Sequence, residues 1–315
     1  MINGIHELGP KMPRPVKLHG SLVAALLAAL LLAGKPEPPA DVFARENLVA
    51  WCIIPYDSMH RTPLERARML RRLGIQRLAI DWRAGDIPNF DEEIDVLRKN
   101  QITLQAFWVR GDMYPERNTP PAEDGNLELV LATLKRNQVS TQIWCPFDSN
   151  AEFTSLPESE KLTRAVEAVR YVATRAKKIN CSVAIYSHGD WMGEPDNELK
   201  VVKQVRMDNV GIVYDYEHGR PQMDRFPEFF PKLVPHLWAV ILNGMQQGGP
   251  DFITVGDGDR DLGMLKVIRD SGYRGPIGLM NHDTNRDAEV GLRLNMEGLK
   301  KMLRQIDDRD ALKSY

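Results

Sequence analysis

From residue 48 onward the chain repeats one unit: a short β-rich run, a helical pattern, then another β-rich run. The strand segments are Leu48–Ile54, Arg77–Asp81, Thr103–Val109, Thr141–Trp144, Ser182–Tyr186, Val210–Tyr214, Leu237–Leu242 and Pro276–Met280. Most have short, nearly continuous apolar cores, as strands buried on both faces of a parallel sheet require. Between and after them lie helical patterns at Thr62–Leu73, Phe90–Lys99, Leu127–Lys135, Ser159–Ile179, Glu198–Gln204, Phe226–Leu233, Leu262–Asp270 and Ala288–Ile306. Thr62 with Pro63 predicts a capped helix start, and Gly272 a left-handed helix stop. Strict alternation makes the strands parallel and the helices crossovers. Eight such units between residues 48 and 308 predict a TIM-type (β/α)8 barrel, a fold that takes about 250 residues. An open doubly wound sheet would show a glycine-rich phosphate turn after its first strand. Here that strand runs into Ile53-Ile54-Pro55-Tyr56-Asp57.

The preceding segment has a different character. Lys11, Arg14 and Lys17 lead into an apolar run, Leu22 to Ala33. A basic stretch before a short apolar run reads as a secretory signal peptide. At ~1.5 Å per residue the run is too short to span a ~30 Å hydrocarbon core comfortably. The expected organisation is a signal peptide over 1–34, a proline-rich linker over 35–47, the barrel over 48–308 and a C-terminal tail over 309–315. Translation could start at Met1 or Met12. The expected location is secreted or periplasmic, with no membrane span once the signal is cleaved. Cys52, Cys145 and Cys181 form neither a disulfide framework nor a zinc spacing. With 41 basic and 43 acidic residues, the net charge of -2 argues against nucleic acid held on a broad basic face.

In a (β/α)8 barrel, chemistry is built from the C-terminal ends of the strands. The second strand ends at Asp81-Trp82-Arg83, the third at Trp108-Val109-Arg110 and the fourth at Trp144. The fifth ends at Tyr186-Ser187-His188 and runs on to Trp191. The sixth leads into Asp215-Tyr216-Glu217-His218, the seventh into Asn243, and the eighth into Asn281-His282-Asp283. Aromatic faces beside a few polar groups suit a carbohydrate, whose C–H faces pack on rings while its hydroxyls take hydrogen bonds. Trp82, Arg83, Trp108, Arg110, Trp144, Tyr186, Trp191, Asn243 and Asn281 are therefore candidate substrate-binding residues. His188, Asp215, His218 and His282 are candidate acid–base residues, and Asp215 with His188 could also hold a metal.

The second half of the chain resembles the sugar phosphate isomerase/epimerase family, the xylose isomerase-like TIM barrels. The resemblance rests on Asp215-Tyr-Glu-His218, on Gly256-Asp-Gly-Asp259 followed by Leu262 and Leu265, and on Gly272-Tyr-Arg-Gly275-Pro276-Ile277. It implies a divalent metal held by Glu, Asp, His and Glu on strands five to eight, with the two glutamates moving the proton. Asp215 matches the strand-six ligand, and His218 matches a position that contacts substrate. The other three ligands fall on Tyr186, the vicinity of Val240, and Met280. A slip of one or two residues at strands seven and eight would bring Asn243, Asn281 or His282 there instead. A hard divalent ion wants several oxygen or nitrogen ligands. The cofactor expectation stays open between a divalent metal at a shifted site and none.

Two functions remain in view. One is an exported carbohydrate-active enzyme: an isomerase, an epimerase, or a sugar lyase or hydrolase. The other is a glycan-binding barrel that has lost the metal site. A phosphodiesterase resembling endonuclease IV would need several more His and Glu ligands. The expected partner is a small carbohydrate, not nucleic acid, and the oligomeric state is left open.

Overall fold

The computed structural model describes residue 1 and residues 41–81, 83–117 and 125–315. The expected signal peptide from residue 2 on and the expected linker up to residue 40 lie outside the described residues.

Eight parallel strands close into a barrel in sequence order. They are β1 (Leu48–Trp51), β2 (Arg77–Asp81), β3 (Thr103–Trp108), β4 (Gln142–Cys145), β5 (Ser182–Tyr186), β6 (Val210–Asp215), β7 (Leu237–Leu242) and β8 (Ile277–Met280). The last strand pairs with the first, Leu48 to Trp51 running beside Ile277 to Met280. Four of the expected strands end earlier or begin later by one to three residues: β1, β3, β4 and β8. At β1 the cause is local. Cys52 turns into the left-handed region at φ 54° and ends the ladder.

The crossovers are α1 (Pro63–Leu73), α2 (Phe90–Lys99), α3 (Leu127–Arg136), α4 (Ala151–Ser155), α5 (Glu158–Lys177), α6 (Pro195–Val205), α7 (Phe226–Leu233), α8 (Asp261–Asp270), α9 (Ala288–Gln305) and α10 (Arg309–Leu312). Thr62 caps α1 in a reciprocal capping box with Glu65, a device that contributes about 1 kcal/mol. Gly272, two residues past α8, takes φ 79°. The short helices α4 and α10 are too brief to show a period; each is marked only by its cap, Asn150 or Asp308.

Both sheet faces are covered, so strand residues are buried almost throughout. Within the barrel, Trp51, Trp144 and Tyr186 pack ring to ring, with centroids 5.4 to 6.0 Å apart. These aromatics fill the interior at the C-terminal strand ends. The end of the expected linker is also packed. Val42 and Phe43 are buried, and Asn47 donates to the Val42 and Gly275 carbonyls. The C-terminal Tyr315 closes over this segment by donating its hydroxyl to the Phe43 carbonyl at 2.9 Å. Among the described residues no helix is long and apolar enough to cross a membrane.

Candidate active site

Trp51, Asp81, Trp108, Tyr186, Asp215 and Met280 are each the last residue of their strand, and all six line one cavity of about 400 Å³. Parallel strands of a closed barrel end together, so residues far apart in sequence share one rim. The loops add Cys52, Tyr56, Arg83, Arg110, His188, Glu217, His218, Phe252 and His282. The volume suits a small polar ligand.

His188 and His218 face each other with ring centroids 4.2 Å apart. His188 Nδ1 lies 3.1 Å from Asp148 Oδ1. A carboxylate only accepts, so the proton of neutral His188 sits on Nδ1 and its Nε2 carries the lone pair. Burial, then the charges of His218 and Arg110, push His188 down to about 4. His218 is drawn the other way. Burial opposes its charge, but the Glu217 carboxylate, 2.8 Å from Nδ1, and the Asp215 charge outweigh that and raise it. Glu217 is held low in return: burial raises it, but the hydrogen bond and charge of His218 prevail. The two facing rings are thus drawn in opposite directions.

Beneath them Asp215 is buried and fully engaged. Its Oδ2 accepts a short hydrogen bond from the Tyr186 hydroxyl, and its Oδ1 accepts from the Glu217 amide at 2.9 Å. The Tyr186 hydroxyl in turn accepts from Trp51 Nε1 at 3.0 Å. Burial raises Asp215 despite the opposing charge of His218, and it lifts the Tyr186 phenol well above its ordinary value. Tyr186 is therefore a fixed neutral donor.

Arg83 and Arg110 each stand 5.8 Å from the Trp108 ring centroid, over the ring. Arg110 pairs with Asp148, the carboxylate that orients His188. On the remaining side Tyr56, His282 and Phe252 form a stack, with centroids 3.8 and 4.1 Å apart. Burial lowers His282, so it packs as a neutral ring.

The four acid–base candidates all reach this cavity, as do Arg83, Trp108, Arg110 and Tyr186. Four other candidates do not line it. Trp144 is wholly buried below and donates to Gln142. Trp191 packs outside, against Phe153, and donates to Glu158. Asn243 ties down its own loop by donating to the Asp251 carbonyl at 2.7 Å, and Asn281 donates to the Tyr56 carbonyl. Both asparagines line a separate neighbouring cavity. Trp82 lies outside the described residues. Asp81, Glu217 and Tyr56 were not singled out from the sequence. Their signal was position, since each stands at or just after a strand end.

The donor set does not suit the divalent ion of the sequence resemblance. Asp215 has both oxygens in use, Tyr186 and Met280 offer a phenol and a thioether, and Val240 is buried outside the cavity lining. Among the described residues no group of three or more His, Cys, Asp or Glu could hold a metal ion. Among the described residues, Asp215 and His188 thus have no third His, Cys, Asp or Glu grouped with them as a metal ligand.

Solved structures match this architecture. A xylose isomerase-like TIM barrel/4-hydroxyphenylpyruvate dioxygenase fusion protein superposes with TM-score 0.64 at 13% identity, over 83% of this chain and 43% of that one. The fold is that of the xylose isomerase-like barrels. A 3-keto-D-glucoside 4-epimerase from E. coli matches at TM-score 0.62 and 13% identity, over 82% of this chain and 99% of its own. An L-ribulose 3-epimerase matches at TM-score 0.64 and 11% identity, over 86% and 98%. No protein-family model and no curated protein matches the sequence.

Proposed function

We propose that this xylose isomerase-like barrel is an enzyme that moves a proton on a sugar or sugar derivative, in the cavity at the C-terminal ends of its strands. The observation that carries this reading is the facing pair His188 and His218, with ring centroids 4.2 Å apart, each ring set against its own carboxylate; His188 is drawn down and His218 up. His188 Nε2 is the base that takes a proton from a carbon next to a carbonyl. His218 donates from Nε2–H to the oxygen on which charge develops, and Glu217 keeps His218 charged. Arg83 and Arg110 bind and orient the ligand's oxygens, and Trp108 offers an apolar face. The structural similarity to a 3-keto-D-glucoside 4-epimerase and an L-ribulose 3-epimerase supports a sugar as ligand.

The basic and apolar N-terminal sequence supports export, and outside the cytoplasm a neutral or oxidised sugar is a commoner partner than a phosphosugar. N-terminal sequencing of protein recovered from the periplasm or medium tests that part.

The activity is tested by proton NMR in D2O with D-fructose, D-tagatose and L-ribulose, following loss of the C–H signals next to the carbonyl. The wild type should exchange at least one of them. His188→Ala and His218→Ala should each slow exchange by about 100-fold or more. Sugar binding without any exchange would instead support a glycan-binding barrel.

A further inference from the structure

Ser187 follows β5 directly and precedes His188. Its hydroxyl has two oxygen neighbours, Glu198 Oε1 at 2.8 Å and the Val213 carbonyl at 3.1 Å. A hydroxyl has one proton to give, and a carbonyl oxygen only accepts. An ionised Glu198 would leave that one proton between two acceptors. A protonated Glu198 satisfies both contacts: its carboxyl donates to Ser187 Oγ, and Ser187 Oγ donates to Val213.

The surroundings agree with a neutral acid. Glu198 lies in α6 and is wholly buried. Its Oε2 is buried without a hydrogen bond, which costs far more for a charged oxygen than for a carbonyl. Burial pushes Glu198 well above the ordinary carboxyl range; the hydrogen bond with Ser187 opposes this, and the Glu194 charge adds to it.

The bond sits where it bears on His188. Ser187 N also donates to the Val213 carbonyl, at 3.0 Å. The residue before His188 is therefore pinned to β6 through backbone and side chain alike. β6 itself leads to Glu217 and His218. After His188 the chain takes two left-handed residues, Gly189 at φ 80° and Asp190 at φ 62°. Asp190 Oδ2 accepts from Ser149 N at 3.0 Å, beside Asp148, the partner of His188 Nδ1. His188 thus stands between two anchors in the chain, and Glu198 holds the first.

We propose that Glu198 is a positioning residue, a neutral carboxylic acid that donates to Ser187 and so keeps His188 set against His218. Glu198 does not line the cavity, so it acts through Ser187. Its part in turnover rests on the proton-transfer reading above; its protonation state and its hold on Ser187 do not.

Infrared spectra of the wild type and Glu198→Gln at pH 7 test the protonation state. Their difference should contain the C=O stretch of a protonated carboxyl; a carboxylate band in its place overturns the proposal. Three variants test the positioning. Glu198→Gln keeps a donor for Ser187 in its amide, Glu198→Leu keeps the size without one, and Ser187→Ala removes the bond from the other end. Glu198→Leu and Ser187→Ala should slow sugar exchange in D2O by about 10-fold or more, in kcat rather than KM. Both should also shift the His188 ring signals in NMR spectra. Glu198→Gln should keep most of the rate and the wild-type signals. Circular dichroism checks folding, and if Glu198→Leu does not fold, Ser187→Ala carries the comparison with Glu198→Gln. A Glu198→Gln protein as impaired as the variants without the bond, or His188 signals unmoved in Ser187→Ala, overturns the positioning role. If the wild type exchanges no sugar, the proton-transfer reading falls by itself. The infrared band and the His188 signals then decide whether Glu198 is neutral and holds the histidine.

Discussion

The imidazole of His188 lies 4.2 Å from that of His218, and different carboxylates hold the two rings, Asp148 for the first and Glu217 for the second. Burial and neighbouring positive charge keep His188 neutral down to about pH 4, while Glu217 and Asp215 keep His218 charged above the ordinary histidine range. In an NMR titration the His188 ring signals should stay fixed between pH 8 and pH 5, and those of His218 should move on the alkaline side of a free histidine. Glu217→Gln should bring His218 down. Linkage gives opposite signs for stability. The His218 contribution is full below the unfolded histidine value and is lost as pH rises through its raised folded value. The His188 contribution is lost as pH falls from about 6.5 towards 4.

Asp81 supplies a stability prediction that does not depend on turnover. Its folded value of about 6 lies above the ordinary carboxyl value of 3.8, chiefly through burial, so the native state holds this proton more tightly than the unfolded chain does. Wild-type stability should therefore fall relative to Asp81→Asn as pH rises from about 4 to above 6. The relative change should be of the order of 3 kcal/mol. Urea unfolding of both proteins at pH 4 and pH 7 measures it. An identical gap at the two pH values would contradict a protonated native carboxyl.

Tyr186→Phe removes one oxygen and strands two partners, Trp51 Nε1 and Asp215 Oδ2. Each is buried, so the expected loss is about 1–3 kcal/mol. Chemical denaturation of the variant tests it; a Tyr186→Phe protein as stable as wild type would mean the three groups are not coupled.

Gly298, inside α9, tests how the loop carrying Phe252 is held. A Cβ there would stand 1.6 Å from the Val255 carbonyl oxygen. Gly298→Ala must push the helix and loop apart, with a loss of about 1–3 kcal/mol or more. Hydrogen exchange should quicken at Val255, whose amide donates to Asn295 on the same helix at 3.0 Å. Unchanged melting and exchange would show that the contact is loose.

Periodicity is local, and the local features were legible. Arg77–Asp81, Ser182–Tyr186 and Leu237–Leu242 are the strands expected, and Phe90–Lys99 and Phe226–Leu233 the helices expected. Reading the strand ends located His188, Asp215, His218 and His282 at one cavity. The same reading could not tell inward from outward. Trp144 and Trp191 stand in or just beyond β4 and β5 as plainly as Trp108 stands in β3, yet one fills the interior below the cavity and the other packs on Phe153.

The sequence by itself determined the alternation of strand and helix, hence the parallel eight-stranded ring, because apolar pattern and turn chemistry act over a few residues at a time. Which strand-end residues share a cavity, and which carboxylates already have donors, were decided only by tertiary structure. Ring closure and burial set those relations, and both join residues more than a hundred positions apart in the chain.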